Sequence, residues 1–322
     1  MSRSLTDWLI CCADPQEARG RQPRRALTRE AAHALVLQAQ GHGILPAVLR
    51  NCQPLADNPE FAEVKRQAQL DHGAAFAFSQ LLRWQADAIM EAAKGLSLTL
   101  VKGPVFARKL YPTPKYRPFG DIDVLAAPAA LPDFEAILDK QGFAPAGRGL
   151  APERQESQWV HRDNPHLVVD ISTDLIHAPS LQGTISVRYE HIAAHPEGPA
   201  ELLLVAAAHG SWHLFERLQH LVDICQAARA LGPAEEQARF LELVARTRLG
   251  LGAALGLTLA GRWFCEPRCL QLAQALGQRL RVEIARALIS RAVVTSSVTD
   301  LRAFYSWRRG LFREMLKRAG GA

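Results

Sequence analysis

Apolar positions along this chain follow a helical period toward both ends and short strand-like runs in the middle. From Leu27 to Gln40 the segment LTREAAHALVLQAQ repeats at helical spacing, with Thr28 placed to cap its start and Gly41 and Gly43 to end it. His42-Gly43-Ile44-Leu45-Pro46 opens a further short helix. Phe61 to Lys94 has no proline, carries Leu81, Leu82, Ala86, Ile89 and Met90, and stops at Gly95, which predicts one long helix. At Leu96 the period changes. Leu98–Val101 is β-prone, and Lys102-Gly103-Pro104 turns out of it into a helix with Pro104 in the first turn. Thr113 to Gly120 is a Pro/Gly loop, Asp121–Leu125 a second strand, and Leu131–Gln141 a helix closed by Gly142. Gln158–His161 and Leu167–Ile171 read as two more strands, and after about Gly198 the pattern is helical again. The expected fold is α+β: a small mixed sheet, about residues 98–175, embedded between N-terminal and C-terminal helical layers. The regions expected are 1–97 (helical), 98–195 (the α/β core) and 196–322 (helical).

Composition agrees with a folded, core-forming chain, since 48% of its 322 residues are hydrophobic and 22% charged. The 38 Lys and Arg against 32 Asp and Glu give +6, which favours anionic partners without naming one. Part of the excess lies in Leu301–Arg318, where Phe304, Trp307, Leu311, Phe312 and Met315 alternate with five basic residues from Arg308 on. That stretch reads as a final packing helix with solvated arginines, in preference to a membrane-surface helix. The six cysteines have no zinc or disulfide-framework spacing and read as thiols of a reducing compartment. The N-terminal apolar run is too short for a secretory signal, and Leu249–Gly261 is too short to span a bilayer. A cytoplasmic protein without integral membrane association is expected.

The candidate chemistry lies in the middle region. Residues i and i+2 of a strand share a face, so Asp121 and Asp123 project together while Ile122 and Val124 enter the core. Adjacent carboxylates repel unless a cation lies between them, and an oxygen-only ligand set of this kind suits Mg²⁺. Asp170 ends the apolar run Leu167-Val168-Val169 and completes the cluster, as a further metal ligand or as acceptor of a proton from an attacking hydroxyl. Gly103 allows close backbone approach to an anion, and Lys102 or Arg117 can neutralise charge on a triphosphate.

Strand, glycine turn, helix, Asp-x-Asp strand and a later strand-borne Asp form a layout that resembles the polymerase-β-like nucleotidyltransferase superfamily. More narrowly, the chain is similar to the bacterial uncharacterised nucleotidyltransferase family. The residues that carry the likeness are Leu100-Val101-Lys102-Gly103, Tyr111-Pro112, Arg117-Pro118 and Asp121-Ile122-Asp123-Val124-Leu125, flanked by His42-Gly43-Ile44-Leu45-Pro46 and by His209–Ile224. The likeness covers about residues 25 to 235. It implies Asp121, Asp123 and Asp170 as ligands of two Mg²⁺ ions, with Mn²⁺ as a substitute. It also implies Lys102, Gly103 and Arg117 as the nucleotide and phosphate site, Arg117 either stabilising charge or bracing the Asp-x-Asp strand. The sequence departs from the pattern at Pro104, which follows Gly103 where the superfamily has serine, and at Ser172, where the family often has histidine. Asp174 is a candidate substitute near that position.

Ala200 to Leu231 reads as a single helix on which His209, His213, Glu216, His220 and Asp223 fall within about 40° of one line. Three readings of that stripe stand: a solvated polar face, a cleft lining that uses His209, His213 and Arg217, or a zinc site on His209 and His213. Trp212 and Phe215 read as core. The function expected is Mg²⁺-dependent transfer of a nucleotidyl group from a nucleoside triphosphate to a hydroxyl of a small molecule, sugar, peptide or protein, releasing pyrophosphate. The alternative is a non-catalytic nucleotide-binding or partner-docking module on the same fold. No zinc-finger or RNP-type signature supports a nucleic-acid partner.

Overall fold

The computed structural model describes residues 3–16, 23, 26–147, 156–296 and 306–321. Helices α1 (Arg3–Cys12), α2 (Arg29–Gly41), α3 (Leu45–Asn51), α4 (Gln53–Asp57) and α5 (Ala62–Ala92) precede the sheet. Thr28 caps α2 by accepting from the Ala31 amide, as its position predicts. Strand β1 (Leu98–Val101) leads into α6 (Gly103–Lys109), followed by β2 (Ile122–Ala126), α7 (Leu131–Lys140), β3 (Phe143–Pro145), β4 (Glu156–His161) and β5 (Asn164–Ser172). After the sheet come α8 (Tyr189–Ile192), α9 (Pro199–Trp212), α10 (Leu218–Ala230), α11 (Ala234–Thr247), α12 (Gly250–Trp263), α13 (Pro267–Ala275), α14 (Arg279–Leu288), α15 (Arg291–Thr295) and α16 (Ser306–Gly320). The fold is thus α+β, with one small mixed sheet flanked by helices. The three-residue β3 was not expected from the pattern. It is too short to show a period and is held by pairing with β4.

The sheet order is β1-β2-β5-β4-β3, with the β2–β5 pair parallel and the rest antiparallel. Alternation sorts the two faces. Ile122 and Val124 of β2, with Val169 and Ile171 of β5, pack against Leu82, Ala86 and Ile89 of α5 and Phe134 and Leu138 of α7. Val101 and Leu125 face the other way and join a larger core built from α1–α3, α6 and the C-terminal helices. That core runs through both helical ends of the chain, which therefore fold against each other. Its centre includes α9 and α12, whose side chains are buried on nearly every side. No helix among the described residues is long and apolar enough to cross a membrane.

Two features depart from the pattern. The predicted helix from Ala200 to Leu231 is broken between α9 and α10, where Leu214 and Phe215 both take positive φ, 52° and 54°. Arg309 of α16 donates from Nη1 to the carbonyls of His213 and Leu214, at 3.4 and 3.3 Å, and so satisfies acceptors that the break exposes. The other departure is Arg309, buried where the arginines of the final helix are expected in solvent; the C-terminal stretch otherwise forms the packing helix expected. Residues 301–305 of that stretch, Phe304 among them, lie outside the described residues, but Phe312 and Leu316 are fully buried in the main core while Trp307 and Leu311 are exposed.

The start of α10 is also where the N-terminal helices dock. His42 is 1% exposed; its Nδ1 accepts from the Leu218 amide at 3.4 Å and its carbonyl from the Gln219 amide at 3.2 Å. Gly43 turns the chain there at φ +70°, and a Cβ on it would run into the Gln219 side chain, which itself donates to the Gly43 carbonyl. Burial pushes the His42 imidazole down to about 4, aided by the charges of Arg217 and Arg309 and opposed by the Thr295 backbone. A histidine whose folded value lies below its unfolded value of about 6.5 supports the fold fully above that pH and loses its contribution as pH falls toward 4. Urea unfolding at pH 7 and pH 5 is expected to show the natural protein losing on the order of 2 kcal/mol more than His42→Gln. Equal losses in the two proteins would contradict the buried neutral ring.

Candidate active site

Asp121 stands immediately before β2 and Asp123 within it, both on the face away from the α5–α7 layer. In the sheet register Asp123 is opposite Asp170 of β5 on one side and Val101 of β1 on the other. The three carboxylates named from the sequence therefore meet at one place. Lys102 follows β1 directly, at φ 52° and ψ −121°, a backbone conformation costing a non-glycine residue about 1–3 kcal/mol. That turn delivers its Nζ to 2.7 Å from Asp123 Oδ1, with both side chains 13% exposed.

The electrostatics follow from this crowding. Burial pushes the Asp121 carboxyl up to about 6, and the charges of Asp123 and Asp170 add to the shift against the pull of Lys102 and Arg117. Burial raises Asp170 as well; Gln158 Nε2, donating to Asp170 Oδ1 at 3.0 Å, opposes that rise. Burial works to strip the Lys102 proton, but the Asp123 carboxylate holds the ammonium above its ordinary value.

The loop that leads into Asp121 is fixed from two sides. The Arg117 guanidinium donates from Nε to Asp223 Oδ1 at 2.9 Å and from Nη2 to Asp223 Oδ2 at 3.0 Å, and the Tyr111 hydroxyl donates to Asp223 Oδ1 at 2.6 Å. All three groups are buried. Arg117 lines the cleft, yet the donors of this fork are already engaged, an arrangement that suits the bracing half of its predicted role. Two residues on, Phe119 exchanges backbone hydrogen bonds with Ser79 Oγ of α5, at 2.9 and 3.0 Å. Gly103 faces Phe119: a Cβ there would meet the ring within 3.0 Å. A side chain at Gly103 would therefore press on Phe119, which would have to shift by a few tenths of an ångström.

Opposite the carboxylates the broken helix supplies the far wall of a cavity of about 670 Å³. His209, His213 and Arg217 all line it, so the stripe is neither a solvated face nor part of one continuous helix. The break brings three imidazoles together: His209 lies 4.8 Å from His213 and 4.7 Å from His220 between ring centroids, and His213 and His220 stack at 5.2 Å. Burial drives His209 and His220 well below the usual histidine range, and neighbouring cationic groups add to it. Trp212 packs half-buried against the core, as read, and also lines the cavity; Phe215 is fully buried as expected. Asp174 is occupied elsewhere, accepting from the Ile176 and Val187 amides at 2.9 Å and from Ser186 Oγ at 2.5 Å, which closes the loop after β5. Ser172 Oγ donates to the Val124 carbonyl at 3.4 Å within the sheet.

Sequence reasoning missed Tyr111 and the Asp223 pairing, which join positions 106 and 112 residues apart. It also missed Glu156 and His177, discussed below, and the α5 side chains Ala75 and Phe78 that form an apolar edge of the cleft with Leu45, Pro46 and Pro118. Among the described residues no group of three or more His, Cys, Asp or Glu side chains is placed to hold a metal ion, the three aspartates and the histidines alike. Mg²⁺ needs no such group. It commonly takes one or two carboxylates and completes its shell with water and substrate phosphate. Asp121, Asp123 and Asp170 offer oxygen donors only, the ligand type such an ion takes.

A small mixed sheet flanked by helices, with acidic side chains on the face that lines a half-open cleft, is consistent with a nucleotidyltransferase-like fold. The family model described as uncharacterised nucleotidyltransferase matches residues 28–265, and the chain belongs to that family. The match supports a general nucleotidyl transfer activity and a nucleotide substrate. Neither the curated proteins nor the solved structures include a match to the chain.

The Arg117–Asp223 brace makes a direct prediction. Asp223→Ala, which leaves a buried guanidinium unpaired, is expected to cost about 3–5 kcal/mol in chemical unfolding. Tyr111→Phe, which removes one hydrogen bond to a charged acceptor, is expected to cost about 1.5–3 kcal/mol. Losses below about 0.5 kcal/mol in both variants, the level of an ordinary surface substitution, would show that the link does not hold the loop.

Proposed function

We propose that the protein is a Mg²⁺-dependent nucleotidyltransferase that moves a nucleoside monophosphate group from a nucleoside triphosphate to an acceptor hydroxyl, releasing pyrophosphate. The observation that carries this reading is the β2–β5 register, which sets Asp123 beside Asp170, with Asp121 on the same face of the cleft. Asp121, Asp123 and Asp170 would hold the divalent ions, two Mg²⁺ with Mn²⁺ able to replace them; bound ions neutralise phosphate charge and polarise the phosphorus centre.

The chain's own residues do the rest. Lys102, now paired with Asp123, is the cation within reach of the carboxylates and is free to transfer its ammonium to the β- and γ-phosphates once Asp123 is engaged elsewhere. Arg117, anchored on Asp223, keeps the loop before Asp121 in place. Phe78 and Pro118 offer apolar surface to a base, and the wall of His209, His213 and Arg217 faces the acceptor side. Positioning of this kind supplies most of what in-line displacement at phosphorus requires.

The Lys102–Asp123 ion pair also favours a second reading, nucleotide binding without turnover, because the site is partly neutralised by its own lysine. Thermal-shift measurements with ATP, GTP, CTP and UTP, each with and without Mg²⁺, test the common element. A Mg²⁺-dependent stabilisation by at least one nucleotide is expected in the natural protein and is expected to vanish in Asp121→Asn/Asp123→Asn. Stabilisation that persists in the double variant would place the nucleotide elsewhere. Pyrophosphate release separates the two readings, since the binding module gives none.

A further inference from the structure

A pair of side chains beside the carboxylates has no part in the roles assigned above. Glu156 opens β4 and Gln158 follows two residues on, so both lie on the sheet face that carries Asp170. His177 comes from the segment between β5 and α8, and its Nδ1 lies 3.1 Å from Glu156 Oε2. The other ring nitrogen, Nε2, is buried and has no hydrogen-bond partner among the described residues. The ring packs against Trp212, with centroids 5.8 Å apart, and both Glu156 and His177 line the cavity that Asp121, Asp123, Asp170 and Lys102 line.

We propose that Glu156 and His177 form a proton-accepting dyad for the hydroxyl that attacks the nucleotide, a role that rests on the nucleotidyl-transfer reading. A ring whose Nδ1–H donates to a carboxylate is fixed in the tautomer whose Nε2 carries the lone pair. The hydrogen bond from His177 holds the Glu156 carboxyl below its usual range against the effect of burial, with Lys102 and His213 also acting on it, so the carboxylate remains charged beside the ring. In the reaction the acceptor O–H bond breaks and its proton passes to His177 Nε2. The oxygen bonds to the α-phosphorus, and the bond from that phosphorus to the bridging oxygen breaks. Pyrophosphate leaves with the electron pair. Glu156 balances the imidazolium, which returns its proton to water after the products depart.

Asp170 is the competing base. Its Oδ1 already accepts from Gln158, and it belongs to the carboxylate cluster suited to cations. A carboxylate that binds a divalent ion is a poorer proton acceptor than a neutral imidazole outside that cluster. His177 is thus the catalytic residue of the pair and Glu156 its positioning residue.

The test uses the full chain. Nitrogen-15 NMR of the histidine rings at pH 7, with His177 assigned through its own backbone, is expected to show the ring proton on Nδ1 and a lone pair on Nε2. In Glu156→Gln that tautomer preference is expected to weaken. With Mg²⁺, the four nucleoside triphosphates and glycerol as the hydroxyl probe, His177→Gln is expected to lower pyrophosphate release about 10²- to 10⁴-fold while the Mg²⁺–nucleotide thermal shift is kept. Glu156→Gln is expected to lower release by less, with partial rescue in Glu156→Asp. A natural ring protonated on Nε2, or a His177→Gln protein as active as the natural one, overturns the dyad and leaves the transfer reading standing. If His177→Gln does not fold, the tautomer of the natural protein decides. Absence of any Mg²⁺–nucleotide shift in the natural protein overturns the transfer reading, and the dyad's task with it.

Discussion

The site depends on the parallel pairing of β2 with β5. Neighbouring strands lie about 4.8 Å apart, so residues opposite one another on one face cannot separate without unpairing the strands. Asp123 and Asp170 are such a pair. Two unit charges about 5 Å apart at an effective dielectric constant of about 20 repel by roughly 3 kcal/mol. The opposite faces of the same strands bear Ile122, Val124, Val169 and Ile171, all buried against α5 and α7. Hydrophobic burial on one face therefore holds charge repulsion in place on the other. Lys102 relieves part of it through an ion pair that requires a left-handed backbone, and Asp121 still rises to about 6. On the nucleotidyl-transfer reading, bound divalent cations relieve the charge crowded at this point.

The wall facing those carboxylates is set by the start of α10. Three distant parts of the chain converge there: His42 and Gly43 from the N-terminal helices, Arg117 from the loop before β2 by way of Asp223, and Arg309 from the last helix. Each contact is polar and largely buried, so each specifies a position more than it adds net stability. The break between α9 and α10 belongs to the same arrangement. A straight helix through His213–Arg217 would carry the histidines along a rod. The two left-handed residues fold the rod back, and three imidazoles that a helix would set in line become mutual ring contacts.

Much of this was legible in the sequence where the signal is local. Strand alternation at Asp121–Leu125, the single-residue punctuation of Gly95 and Gly142, and the cap at Thr28 each reflect forces acting within a few residues. The three aspartates were legible because a carboxylate at the end of an apolar run has few structural reasons to be there. The helix break was not. Neither Leu214 nor Phe215 is a residue type that advertises positive φ, and the carbonyls freed there are satisfied by an arginine some 95 residues away. His177 lies outside any periodic segment and acquires its meaning only from the Glu156 carboxylate that its ring touches. Glu156 itself carried a faint signal, since it shares the period-two face with Gln158, but the predicted strand began at Gln158. Phosphate binding was read into Gly103, and the tight packing of Phe119 against it is a second reason for a small residue there.

The charge of the cleft bears on how a polyanion could enter it. The chain as a whole carries +6, yet the cavity is lined by Asp71, Asp121, Asp123, Glu156, Asp170 and Glu216 against Lys102, Arg117 and Arg217. Of those three cations, Arg117 is spent on Asp223 and Lys102 on Asp123, and the imidazoles of His209 and His220 are held neutral by burial. An overall basic surface draws anions toward the molecule, but the carboxylate face alone repels a triphosphate. On the nucleotidyl-transfer reading the missing positive charge has to arrive with the nucleotide, as bound divalent cations. The acidic face then discriminates against nucleotides that come without them, while His209 and His220, held neutral by burial, add no charge to the opposite wall.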